Sequence, residues 1–112
     1  MKCENLDVWK RSCRLSVNIY KISNNLKDFG FKNQITSSGL SIASNIAEGM
    51  EKDSNKEKIR FIEIAKGSSA ELITQIYIGI EISYIEKSIG LNLVSECNEI
   101  LKMLSGLRKS YV

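Results

Sequence analysis

Histidine is absent from the 112 residues. The usual general base, a Ser-His-Asp triad and the Glu-x-x-His ligands of di-iron bundles are therefore all excluded. What could still do chemistry is a few carboxylates, three thiols and a row of basic side chains. Glu48, Glu63 and Glu71 lie on separate helical turns, and carboxylates so spaced serve as ion-pair or capping partners more often than as a metal cluster. No metal or cofactor is expected. Cys3, Cys13 and Cys97 form no CxxC pair and are odd in number. They suit reduced thiols in a cytoplasmic protein better than a disulfide framework, with Cys13 and Cys97 at core positions. The glycines are isolated, so no loop cradles phosphate, and an enzyme is the remotest of the functions open to this chain.

The basic row is the stronger candidate. Lys10, Arg14, Asn18 and Lys21 line one face of a helix, with Arg11 beside them and Lys27 and Lys32 beyond. Such a face can follow the phosphates of a nucleic acid without reading its sequence. The formal charge is only +3, but residues 1–34 carry seven Lys/Arg against three Asp/Glu, whereas the remainder carries nine against ten. The basic excess thus sits on the first helix. The competing reading is an ordinary solvated face, because no aromatic side chains are interleaved for base stacking. Trp9 and Tyr20 fall on the expected core stripe and are not counted as a stacking platform.

The elements that must carry these residues are helices. Proline is absent, which favours long uninterrupted helices over turns and edge strands. One domain spanning residues 1–112 is expected from the length. The first helix, about 5–27, starts at Asn5 and carries a core stripe of Leu6, Trp9, Cys13, Val17 and Tyr20, with Leu15, Ile19, Ile22 and Leu26 as a neighbouring stripe. Gly30 offers a turn. The second, about 32–49, aligns Ile35, Gly39, Ile42, Ile46 and Gly49 and has no charged side chain between Lys32 and Glu48. Such a helix should be covered on most sides, within the bundle or between subunits.

Ser54-Asn55-Lys56-Glu57 reads as a capping box opening a third helix, about 54–87, whose stripe runs from Ile62 through Leu72, Ile76 and Ile80 to Tyr84. Ile76, Ile78, Ile80 and Ile82 also alternate as a strand would, but nothing elsewhere could pair with it, and a lone strand leaves its backbone groups unsatisfied. The fourth helix, about 92–109, carries a seam of Leu93, Cys97, Ile100, Leu104 and Leu107. The fold class is all-α, an antiparallel up-down four-helix bundle. Ile64, Gly67, Ile78, Ile82 and Ile85 project away from the third helix's core stripe. An apolar face of that extent marks a subunit interface more often than a greasy solvated surface. No apolar run approaches the roughly 18 residues of a bilayer span, and the N-terminus opens no signal peptide.

Several stretches together resemble a known family: Gln34-Ile35, Ser41-Ile42-Ala43-Ser44-Asn45-Ile46-Ala47-Glu48-Gly49, Lys56-Glu57, Arg60-Phe61-Ile62-Glu63-Ile64-Ala65-Lys66-Gly67-Ser68 and Ala70-Glu71-Leu72. With Leu6-Asp7-Val8-Trp9 and Lys102-Met103-Leu104, they are similar to the bacterial 23S rRNA intervening-sequence proteins over nearly the whole chain. The resemblance implies an antiparallel four-helix bundle that assembles as a ring, typically a homopentamer. It also implies a likeness to the accessory protein of diversity-generating retroelements, a basic pentamer that engages a reverse transcriptase and its RNA. The chain departs from the family's usual pattern at Thr36 and Ser37, where arginines are common, and at Ala43, where proline is common. Two functions follow: an oligomeric module associated with RNA or an RNA-processing enzyme, or a purely protein-binding or structural oligomer.

Overall fold

The computed structural model describes residues 1–112. It contains four helices and no strand: α1 (Asp7–Ser23), α2 (Phe29–Met50), α3 (Asn55–Glu81) and α4 (Lys87–Lys109). Each helix packs on its neighbours in the chain, α4 closes onto α1, and the diagonal pairs do not meet. The direction alternates. Along α2 and α3, Ser41 meets Ser68 while Gly49 faces Phe61, so position rises in one helix as it falls in the other. The 43 Å long axis matches α3, whose 27 residues span roughly 40 Å at the helical rise.

The core is continuous and built mainly from the predicted stripes. Ile35, Ile42 and Ile46 of α2, Ile62, Leu72 and Ile76 of α3, and Cys97, Ile100 and Leu104 of α4 are fully buried. The isoleucine run of α3 is helical through Glu81, and its alternation has no structural expression. On α1 the expected order of stripes is reversed. Leu15 and Ile19 are fully enclosed while Val17 and Tyr20 are 41% and 47% exposed. Periodicity gave two neighbouring apolar arcs there and nothing to choose between them. The structure turns the Leu15/Ile19 arc inward, with Ile19 beside Gly39 of α2. Cys13 is half-buried, whereas Cys3, ahead of the helix, is fully buried.

Several helix ends differ from expectation. α1 begins after Leu6, with no side-chain cap, and Asn5 stays outside it. Asp28 caps α2 by accepting the Phe31 N–H at 3.1 Å, so Gly30 lies inside the helix instead of at a turn. Ser54 caps α3, accepting from Glu57 N–H at 3.1 Å, but the reciprocal half of the expected capping box is not made: the Glu57 carboxylate accepts from Arg60 at 3.5 Å. At the far end α3 stops six residues early. Ser83 adopts the left-handed conformation at φ 64°, Ser83 N–H donates to Ile80 O, and Tyr84 N–H to Gly79 O at 2.8 Å. This is the Schellman arrangement, with serine where glycine is usual. The reversal folds Ile85 back between Gly79 and Gly90, and Glu86 then caps α4 through the Ile89 N–H at 2.9 Å. No helix is long and apolar enough to cross a membrane.

Candidate functional site

The outward crest of α1 carries the basic row. Lys10, Arg14 and Lys21 are exposed and lie within one narrow arc at 100° per residue, spread over roughly 16 Å of helix axis. Arg11 does not belong with them. One residue further round, it turns into the α1/α4 seam, where Nε and Nη2 donate to the two carboxylate oxygens of Glu96 at 2.8 Å each, and Nη1 meets Met103 Sδ at 3.4 Å. This two-pronged hydrogen bond holds the Glu96 carboxyl below its ordinary range and raises Arg11. A guanidinium so engaged is a seam component and not a free phosphate ligand. The structure thus sets Arg11, expected among the nucleic-acid contacts, in the α1/α4 seam and apart from Lys10, Arg14 and Lys21.

Two depressions flank the crest in its C-terminal half, and Lys21 belongs to both. Toward α2 lies an apolar groove of about 410 Å³ lined by Cys13, Ser16, Val17, Tyr20, Leu40 and Ala43. Toward α4 lies a mixed cleft of about 320 Å³ lined by Asn18, Ile22, Ile89, Asn92 and Leu93. Tyr20 is therefore not a core residue but an exposed aromatic ring next to a lysine, which sequence periodicity had assigned to the interior.

The other candidate surface is the outer side of α3. Ile64, Ile78 and Ile82 are 40%, 48% and 46% exposed. Gly67 is exposed among them, with no atom near the position a Cβ would take. Ile85 is excluded from this surface, being only 6% exposed, because the chain reverses at Ser83 before reaching it. Between this stripe and the apolar groove runs the outward side of α2, where Asn33, Gln34, Ser37, Leu40 and Ser44 are exposed and none is charged. A polar furrow of about 200 Å³, lined by Gln34, Ser37, Ser38, Ser41, Ser68 and Glu71, follows the α2/α3 boundary. Sequence reading anticipated an uncharged α2 and missed Leu40 as the residue linking it to the α1 groove. The absence of charge across fifteen residues was the available signal.

The carboxylates do not converge. Glu63 accepts from Arg108 Nε at 2.8 Å and lies 3.6 Å from Lys66 Nζ, and no group of three or more acidic or thiol side chains is placed to hold a metal ion. Burial pushes the Cys97 thiol up to about 12, which leaves it unreactive in the folded chain.

With this geometry in hand, the relatives can be compared. The sequence pattern of the 23S rRNA-intervening sequence proteins matches residues 4–106. The chain belongs to that family. A solved structure of a protein of unknown function from the S23 ribosomal protein family of Bacteroides thetaiotaomicron is 29% identical. The match covers 91% of this chain and 98% of that one, with a TM-score of 0.85. Among curated proteins none matches. Most of the stretches that carry the sequence resemblance lie on the α2/α3 pair, where Ser41 and Ser68 share a hydrogen bond of 2.8 Å and Asn45 Nδ2 donates to Ser41 O at 2.8 Å and to Ser41 Oγ at 2.9 Å.

Proposed function

We propose that this family member is a non-catalytic cytoplasmic module that self-associates, most simply as a ring, and presents the α1 crest to RNA or to an RNA-processing partner. The observation that supports self-association is the uncharged outer side of α2, bordered by the exposed Val17, Tyr20 and Leu40 on one flank and by Ile64, Ile78 and Ile82 on the other. A helix face with no charged side chain from residue 33 to 47, polar at its centre and flanked by exposed apolar side chains, suits a subunit interface better than a solvated surface does. The two apolar flanks are different residues on different helices, so a contact pairing one with the other is heterologous, and a heterologous contact closes into a ring when its rotation permits. The RNA reading is supported by Lys10, Arg14 and Lys21, which point outward on one arc and enter none of the ion pairs in the chain.

Light-scattering mass with and without nuclease tests both halves. A multimer is expected, and replacing Ile78 and Ile82 with glutamate is expected to reduce it to monomer with its helical circular dichroism retained. A variant that elutes at the wild-type mass would move the interface elsewhere. Three phosphate contacts per protomer on single-stranded RNA give a log–log salt slope of roughly −2. Neutralising Lys10, Arg14 and Lys21 together should abolish that dependence. Salt-indifferent capture of a protein that survives nuclease would favour the purely protein-binding reading instead.

A further inference from the structure

We propose that the cleft between α1 and α4 is a nucleobase pocket, in which Asn18 and Asn92 bond the edge of the base and Lys21 holds the attached phosphate. The inference rests on the reading of the crest as an RNA-facing surface and supplies it with a site that recognises something other than charge. At one end the α1/α4 seam is shut by the Arg11–Glu96 pair. At the other it opens into the cleft of about 320 Å³, whose floor is Ile22 and Leu93 and whose wall is Ile89, 47% exposed.

Two carboxamides, one from each helix, line this cleft. The side-chain hydrogen bonds of α1 and α4 are made elsewhere, by Arg11, Ser12, Ser23 and Ser88, and both amides are left free, as is the ammonium of Lys21. A carboxamide presents a donor and an acceptor in one plane, the pattern that pairs with the N6–H and N7 edge of adenine. The isoleucine and leucine surface accepts the face of a flat ring, and a lysine is a compact charge suited to phosphate. A purely apolar ligand would cover two carboxamides and offer them nothing to bond. Glu86, which caps α4 three residues before Ile89, is held ionised by Ser88 and the Ile89 N–H. That carboxylate sits beside Lys87 at the start of α4, whereas Lys21 lines the cleft with no acidic partner, and the crest continues from it to Arg14 and Lys10. A base turned into the cleft leaves the adjoining backbone lying along α1.

The whole chain, labelled with ¹⁵N and at its isoleucine methyls, is titrated with AMP, adenosine and inorganic phosphate. AMP is expected to shift the side-chain amides of Asn18 and Asn92 and the methyls of Ile22 and Ile89. Asn18→Leu and Asn92→Leu should each weaken it roughly tenfold. Lys21→Gln should weaken AMP and leave adenosine unchanged. Thermal melts of the three variants, all at cleft-rim positions, check that they remain folded. An oligo(A) strand distinguishes RNA from free nucleotide: tighter binding than AMP, weakened further by neutralising Lys10 and Arg14, identifies RNA. AMP shifts without oligo(A) binding would keep the pocket as a mononucleotide site and sink the RNA reading. Oligo(A) binding that ignores Asn18→Leu and Asn92→Leu, or the absence of AMP shifts at millimolar concentration, would overturn the pocket and leave the crest standing.

Discussion

The α2/α3 seam and the α1/α4 seam lie on opposite edges of the same bundle and are made of different materials. Along α2/α3 small residues bring the backbones together. A Cβ on Gly49 would sit 2.8 Å from Phe61 Cβ, and Ser41 and Ser68 meet directly across the seam. Along α1/α4 the sparser packing is spanned by long side chains, Arg11 reaching Glu96 and Met103, and beyond that bridge the helices part around the cleft. Small residues give a close pairing that leaves only the shallow polar furrow of about 200 Å³ along its outer edge. Long ones hold two helices at a distance and leave space between them. The difference is one of packing: one edge is closed by small residues, the other spanned by long side chains beside a cleft.

The largest effect is expected where the close seam is wedged open. Gly49→Val places a branched side chain against Phe61 Cβ and the Lys58 carbonyl. Overpacking of this kind should cost about 2–3 kcal/mol, read as a lowered midpoint in urea with an unchanged slope. A variant as stable as the parent would mean that α2 and α3 can separate freely, and the contrast between the edges would fail. Next is the turn that brings α4 back beside α1. Ser83 is held at φ 64°, where glycine has no steric penalty, so Ser83→Gly should stabilise by roughly 1 kcal/mol. An unchanged stability would mean that the serine side chain offsets the strain at that φ.

A smaller effect separates hydrogen bonding from mere closeness in the α2/α3 seam. Ser41→Ala and Ser68→Ala should each destabilise, and the double variant should cost less than their sum, giving a coupling of about 1 kcal/mol. Additive losses would show that the shared hydroxyl contact is incidental and that the small size of the residues alone matters.

These contrasts also show what a sequence can disclose. The cores of α2, α3 and α4 were legible because each has an apolar stripe that keeps helical phase along its length, even on α3 where a second apolar face lies opposite, and the Ser54 cap because a serine stands immediately ahead of the helix. On α1 two stripes compete, and the decision rests on where α2 comes close, which is not local information. Ile85 was misassigned to the outer surface because helical phase was extrapolated through Ser83, and nothing about that serine announces a positive φ. Arg11 was misassigned for a related reason. Its place on the wheel is 100° from Lys10, and only the presence of Glu96 85 residues later draws it to the rim of the α1/α4 seam. The basic crest itself was legible, since Lys10, Arg14 and Lys21 need only the period of their own helix. The clefts beside it were not, because each is defined by two helices distant in sequence.

The smallest expected effect concerns the bridge on the open edge. Arg11 and Glu96 remain 39% and 34% exposed as side chains, so solvent screens them, and Arg11→Gln should cost below about 1 kcal/mol at neutral pH. The sign of its pH dependence follows from the carboxyl. Glu96 is held below its ordinary value of 4.5 by Arg11. The folded chain therefore favours the ionised form, and this contribution is fully present above the unfolded value and is lost as pH falls through the lower, folded one. Wild type and Arg11→Gln should differ at pH 7 and converge in acid. The same substitution should loosen the end of the seam opposite the cleft, detectable as faster amide exchange in α1 and α4 with α2 and α3 unchanged. Faster exchange spread evenly over all four helices would show that the two edges are not mechanically separate.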